Sequence, residues 1–390
     1  MNIYNFKNIN IIKNKKISFG ENIIYSAGFN VDRGLESKER IDEEIEDLKF
    51  LIKRFARIFI VSHQGSYKKK STYHLNFIIP YLKKKLKCKI IYLRKNIFNK
   101  NLLEKKIKPG EILFLPNSRL NSGEEKNSIK LGKSYSKIAD SIVVGGFSKA
   151  HRKNSTNNSI LKFKPGYLSS GVCKQVQSLY KWSSKRNYKS VCILGGAKEE
   201  KIKIGLNYLT SKYYKVIPGG IVLNTILKQL GYVTGRSIIG DKYSQKVVDK
   251  ILKKYKKKIF IPDHVYVSNS NFKYEIKKKL SKKNKNDIIV GYEFNLKLKK
   301  ILKTALISNG QILIAGTPSF YKKKFFHPTK EISKFVKKKL NNVVVLGGDS
   351  VNELKLNCNR SSGGGSALYF ISGMKLPIID ALEKNRKIFV

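Results

Sequence analysis

Short apolar runs rich in β-branched residues recur along the chain at 23–26, 58–62, 90–93, 112–115, 141–144, 191–194, 259–261, 312–315 and 343–346. Each is too short for an ordinary helix and ends in Gly, Pro, Ser or charged residues, so each is predicted to be a strand. Between them, segments 39–57, 76–86 and 329–340 place apolar residues at helical spacing and lysines on the other face. Apolar strands alternating with amphipathic helices predict an α/β protein: two doubly wound, Rossmann-like parallel sheets. A stretch rich in Gly, Ser and mixed polar residues across 162–189 precedes the fresh strand at 191. It predicts a domain 1–170, a domain 171–376 and a hinge near 163–190.

At 390 residues the chain suits two domains, given roughly 100–200 residues each. Its longest apolar stretches, such as 367–371, fall far below the ~18 residues of a membrane span, so no membrane association is expected. The N-terminus lacks the apolar core of a secretion signal. Cys88, Cys173, Cys192 and Cys358 lie far apart, which matches neither a zinc spacing nor a disulfide framework and fits a reducing cytoplasm.

Charge adds less than its size implies. Of 80 basic residues only 11 are Arg, and the Lys triplets are scattered, against 27 acidic residues and a formal charge of +53. A dedicated nucleic-acid surface concentrates its cations, so this excess predicts a solvated lysine coat with non-specific, salt-dependent nucleic-acid adhesion.

Open parallel sheets bind ligands beyond the carboxyl ends of their strands. In the first half those positions carry His63-Gln64-Gly65, Asn117-Ser118-Arg119 and Gly145-Gly146-Phe147-Ser148-Lys149-Ala150-His151-Arg152. His63, Arg119, His151 and Arg152 thus make a cationic set suited to a phosphorylated or carboxylated ligand. Glu124 and Glu125 read as a solvated helix start. His74, His264 and His327 read as structural or surface residues. In the second half the strand ends carry Gly195-Gly196-Ala197-Lys198, Pro218-Gly219-Gly220 and Gly347-Gly348-Asp349-Ser350, followed later by Gly363-Gly364-Gly365. Such glycines let backbone N–H groups approach phosphate oxygens, and Asp349 is placed to cap a helix or meet magnesium. These are features of a nucleotide site without a Walker A string.

Taken in order, these strings with Phe29-Asn30-Val31, Arg40-Ile41 and Leu376-Pro377 resemble the phosphoglycerate kinase family, in places its archaeal members. The resemblance implies phosphoryl transfer between ATP/ADP and a carboxylate or acyl phosphate, most simply 3-phosphoglycerate, by a cytoplasmic, monomeric enzyme. It implies that the first domain holds the acid and that 377–390 packs back on it, while the second holds the nucleotide and Mg2+. By position, Asn30, His63, Arg119 and Arg152 are the implied acid-binding residues, and Arg40, Lys198 and Lys201 or Lys203 the catalytic ones. Gly195, Gly196, Lys198, Gly219, Gly220, Gly347, Gly348, Asp349, Ser350, Gly363, Gly364 and Gly365 are the implied nucleotide site, with Asp349 on magnesium directly or through water. The chain departs from the family at several of these places. Ser26-Ala27-Gly28 stands where the family has Arg-Val-Asp, and Ser66 replaces a phosphate-binding arginine, with Lys68 as a substitute point charge. Ala315-Gly316-Thr317 replaces Asn-Gly-Pro, and Lys322 falls near the ribose-binding glutamate. A kinase of another carboxylate, or a non-catalytic nucleotide- or RNA-binding member, is the alternative these departures allow.

Overall fold

The computed structural model describes residues 5–35, 38–183, 187–282 and 285–389. It divides into two compact units, Met1–Lys181 with Met374–Val390, and Trp182–Gly373. The division falls after Lys181 rather than at 170, because the helix Ser170–Ser183 is tied to the first unit: Ser170 N donates to Asp47 (2.6 Å) and Gln175 to Glu43 (3.0 Å). Residues 184–186 of the expected hinge lie outside the described residues.

The first unit is built on six strands: β1 (Asn22–Ser26), β2 (Arg57–Val61), β3 (Ile90–Tyr92), β4 (Ile112–Phe114), β5 (Ser141–Val144) and β6 (Gly166–Leu168). They form one wholly parallel sheet in the order β3-β4-β2-β1-β5-β6. All five residues of β1 are buried, which is why the strand reads as an unbroken apolar run and not as an alternation. Against the sheet lies the helix Glu39–Lys53, whose Ile41, Ile45, Leu48 and Leu51 recur at helical spacing and join the core. The C-terminal helix Pro377–Phe389 belongs to this unit, where buried Asn385 accepts from Gly166 N (2.7 Å) and donates to Lys164 O (2.8 Å). From β1 the chain winds outward on one side through β2, then returns to place β5 on the other. The crevice-forming reversal of a doubly wound sheet therefore falls between β1 and β5.

The second unit has a five-stranded parallel sheet ordered β14-β13-β12-β7-β8, from β7 (Asn187–Leu194), β8 (Tyr213–Pro218), β12 (Ile312–Ala315), β13 (Val343–Leu346) and β14 (Asn359–Ser361). Here the reversal falls between β7 and β12. This unit also holds a three-stranded antiparallel sheet of β9 (His264–Ser268), β10 (Ile276–Lys279) and β11 (Ile288–Tyr292), which the expectation of parallel sheets alone did not include. The run 259–261 is no strand: Ile259 makes a single bridge to Val216, and Pro262, lacking an N–H, follows. Both units have the α/β class and parallel winding read from the sequence.

Candidate active site

In the first unit the loops leaving β2, β4 and β5 carry the expected cationic residues, the loop leaving β1 carries Asn30, and polar staples fix them. Asn117 joins two of these loops: its Oδ1 accepts from Gln64 N (3.1 Å) and Arg119 N (3.0 Å), and its Nδ2 donates to Gln64 O and Tyr73 O (2.9 Å each). Arg119 is buried, donates to Gly65 O and lies 3.6 Å from Glu125. Arg40 donates to Asn30 O, joining the helix Glu39–Lys53 to the β1 loop.

His63 sits among these cations. It is 4% exposed and its Nδ1 has no hydrogen-bond partner. Burial holds its pKa well below the usual histidine range, and Arg119, Lys149, Arg152 and Arg40 push the same way. The imidazole is therefore neutral at physiological pH, with an unsatisfied ring nitrogen that a ligand can engage. Arg152 is exposed, and its Nε donates to His151 Nε2 (3.2 Å).

Several residues of this site escaped the sequence reading. Glu124 is fully buried within a turn, not at a solvated helix start, and accepts from Thr156 Oγ1 (2.6 Å) and Thr156 N (3.2 Å). Glu125 accepts from Ser66 Oγ (2.9 Å), so the serine that replaces a family arginine is tied to the carboxylate facing Arg119. Glu44, buried on the helix Glu39–Lys53, accepts from Tyr25 Oη (2.5 Å), Gly146 N (2.5 Å) and Gly28 N (3.3 Å). Lys149 is 2% exposed and donates to Ser26 Oγ (2.7 Å). The one sequence signal for its burial was its place between Phe147 and Ala150, which a chain with lysines throughout obscures.

In the second unit three glycine loops meet backbone to backbone. Gly196 N donates to Thr317 O (3.1 Å), Gly219 N to Leu194 O (2.8 Å) and Ile221 N to Gly196 O (2.9 Å). A Cβ on Gly220, which has φ +50°, would stand 2.3 Å from Gly196 O, so the start of the helix Gly220–Gln229 admits no side chain there. Gly347 adopts φ +101° before the helix Gly348–Leu354, and its Cα approaches Gly364 at the start of Gly364–Ile371. Asp349 does not cap its helix. Its exposed carboxylate pairs with Lys322 at 3.2 Å.

The lysines after Gly196 divide. Lys201 is buried, and burial with Lys198 nearby pushes its ammonium down to about 8, opposed by Glu200, Cys192 and Asp349. Lys203 is held by Glu199 and Asp241, both at 2.6 Å, so the structure brings Lys201 and not Lys203 into the field of Lys198 and Asp349. Thr317 Oγ1 donates to Glu353 (2.8 Å), a half-buried carboxylate that sequence reasoning did not single out. His264 and His327 pair with Glu293 (3.5 Å) and Glu331 (2.8 Å), and His74 contacts Tyr92 Oη (3.0 Å). All four cysteines are unpaired.

A family model described as phosphoglycerate kinase matches residues 20–374. The chain belongs to the phosphoglycerate kinase family. It is 33% identical to the phosphoglycerate kinase of Wigglesworthia glossinidia brevipalpis over 369 residues, 89% of each chain. It is 32% identical to that of Buchnera aphidicola subsp. Schizaphis graminum over 387 residues, 94% of this chain and 96% of the relative. Among solved structures, phosphoglycerate kinase from Pyrococcus horikoshii OT3 has the same fold, with a TM-score of 0.78 at 22% identity, covering 98% of this chain and 100% of that one. Phosphoglycerate kinases are phosphotransferases with a carboxyl group as acceptor, the reaction class that the ordered strings implied. No helix among the described residues is long and apolar enough to cross a membrane.

Proposed function

We propose that the chain transfers a phosphoryl group between ATP and the carboxylate of 3-phosphoglycerate, with the acid on the first unit and the nucleotide on the second. The observation that carries this reading is buried His63, its Nδ1 unpartnered, beneath the charges of Arg119, Lys149, Arg152 and Arg40. A fold gains nothing by gathering that many cations around a neutral histidine unless an anion completes the site. His63, Arg119 and Arg152 hold the acid, with Asn30 lining the β1 loop and Arg40 fixed against it. The loops carrying Gly195, Gly196, Gly219, Gly220, Gly347, Gly348, Ser350 and Gly363–Gly365 receive the nucleotide, with the N-termini of the helices Gly220–Gln229 and Gly364–Ile371 offering partial positive charge to its phosphates.

In the forward step a carboxylate oxygen forms a bond to the γ-phosphorus as the bond to the ADP oxygen breaks, and no covalent enzyme intermediate arises. No proton has to move, so the protein's part is positioning and charge neutralisation. Lys198 and Lys201 offset charge on the transferred group. Asp349 is the residue that would meet a magnesium ion carried in on the nucleotide. A magnesium ion held there would supply positive charge to the phosphate oxygens, and the Asp349 carboxylate that would hold it is paired with Lys322. Unpaired thiols and small-molecule ligands suit a cytoplasmic enzyme.

A second reading rests on Gly28. Where the resemblance implies a hydroxyl-binding aspartate this chain has bare backbone, which favours an acid recognised without that contact. ADP release by the purified chain with ATP, magnesium and 3-phosphoglycerate tests the first reading. Release only with another acid moves the assignment to that acid, and no release with any acid removes the activity.

A further inference from the structure

Lys149 is an ammonium in a place where the protein leaves it incomplete. It ends the short 3-10 turn Phe147–Lys149 after β5, and its side chain folds back over Gly146, where a Cβ would stand 2.9 Å from Lys149 Cε. Its Nζ reaches Ser26 Oγ at 2.7 Å. Ser26 is the last residue of β1, in register between Val61 of β2 and Val144 of β5, so the ammonium lies at the carboxyl ends of the strands where the winding reverses. An ammonium has three donors, and among the described residues Ser26 Oγ is the one acceptor bonded to Nζ. The buried carboxylates whose charges act on Lys149, Glu44 and Glu124, are satisfied elsewhere, by Tyr25, Gly28 and Gly146 and by Thr156. Burial lowers the pKa of Lys149 to about 8, with Glu124 and Glu44 opposing the shift and Arg119 adding to it, and neither carboxylate bonds the ammonium. Lys149 is also one of the four cations that act on His63.

We infer that Lys149 is a ligand-contacting residue of the acid site: seated on Ser26, it offers its two remaining N–H donors to an anionic oxygen of the substrate. The two positions act as a pair, since the serine that stands where the family has an arginine is the residue that carries the lysine's ammonium. This rests on the proposed acid-binding function, and the chemistry it assigns is an anionic oxygen of a carboxylate or a phosphate.

Calorimetric titration of the full chain with 3-phosphoglycerate, with glycerol 3-phosphate, which lacks the carboxylate, and separately with ATP tests it. Lys149→Met is expected to weaken 3-phosphoglycerate by about tenfold or more, the scale of a lost charge-assisted hydrogen bond, and to leave ATP affinity unchanged. Loss confined to 3-phosphoglycerate assigns the contact to the carboxylate, and equal loss for both ligands assigns it to the phosphate. Moving the charge back in Lys149→Ser/Ser26→Arg is expected to restore affinity to within about threefold, which a merely structural lysine would not do. The unaltered protein gives a reading that no folding defect touches: 3-phosphoglycerate affinity should fall from pH 7.5 to 9.5 as the ammonium, surrounded by Glu44, Glu124 and Arg119, loses its proton. Unchanged affinity in Lys149→Met, or a flat pH profile, overturns the inference and leaves the proposed activity standing. Absence of 3-phosphoglycerate binding by the unaltered protein removes both.

Discussion

A Cβ placed on Gly28 would stand 2.4 Å from the α-carbon of Gly146, so the loops leaving β1 and β5 touch backbone to backbone. Glu44 bridges that contact by accepting from both amides. The departure at position 28 therefore belongs to a local packing solution in which two glycines and a buried carboxylate replace side-chain chemistry. Gly28→Asp is expected to destabilise the protein by about 1–3 kcal/mol, the usual scale of overpacking, and to give no gain in KM for 3-phosphoglycerate. Urea unfolding and steady-state kinetics check the two halves, and an improved KM at unchanged stability would refute the coupling.

The division between Lys201 and Lys203 gives a kinetic prediction. Lys201→Met should lower kcat by about 100-fold, as for loss of one group that stabilises transition-state charge. Lys203→Met should change kcat by less than about threefold, because Glu199 and Asp241 already occupy its ammonium in a partly exposed pair. The protonated form of Lys201 is the useful one, and it is lost as pH rises through about 8, so kcat should fall above pH 8 in the unaltered enzyme. Equal losses in the two variants would place the catalytic charge elsewhere.

The fold was legible where strands are buried on both faces. β1, β2, β5, β12 and β13 are continuous apolar runs, and their ends were right to within a residue. β10 was not legible, because its Ile276-Lys277-Lys278-Lys279 looks like any other lysine run and is held by pairing to β9 and by the Lys278 to Asp287 ion pair (3.0 Å). The cationic residues at strand ends could be read because a parallel sheet points its loops one way. Glu44, Glu124 and Lys149 could not. Their burial depends on which loops meet over β1, and nothing local to a Glu or Lys in a highly charged chain distinguishes a buried one.

Glu44 also sets a pH dependence of stability. Burial raises its pKa above the ordinary glutamate value, Glu43 and Asp47 adding to the effect while the Tyr25 hydrogen bond and Lys149 oppose it. Between the unfolded and folded values the native state holds the extra proton, so unfolding free energy falls as pH rises from about 4.5 toward neutrality. Glu44→Gln keeps an acceptor for Gly28 and Gly146 and a donor for Tyr25 Oη, and should flatten that slope. Glu44→Ala leaves buried amides unsatisfied and should cost about 1–3 kcal/mol at any pH. Denaturant unfolding at pH 5, 6, 7 and 8 separates the two, and an unchanged slope in Glu44→Gln would show that another group titrates.

The lysine coat makes a prediction opposite in kind, one of weak and unselective binding. A formal charge of +53 attracts polyanions, and each phosphate neutralised releases a counterion, so affinity for RNA should fall steeply as salt rises. Dispersed triplets such as Lys256-Lys257-Lys258 on a 3-10 turn and Lys322-Lys323-Lys324 at the end of another supply charge without the base-reading geometry that selectivity requires. Filter binding with unrelated single-stranded RNAs should give dissociation constants of about 10⁻⁴–10⁻⁶ M at physiological salt, equal among sequences. Saturating ATP and 3-phosphoglycerate should compete only weakly, since the strand-end loops are a small part of the charged surface. Nanomolar affinity for one sequence that persists at 200 mM salt would instead mark a built RNA site, and the lysines could then no longer be read as a solvated coat.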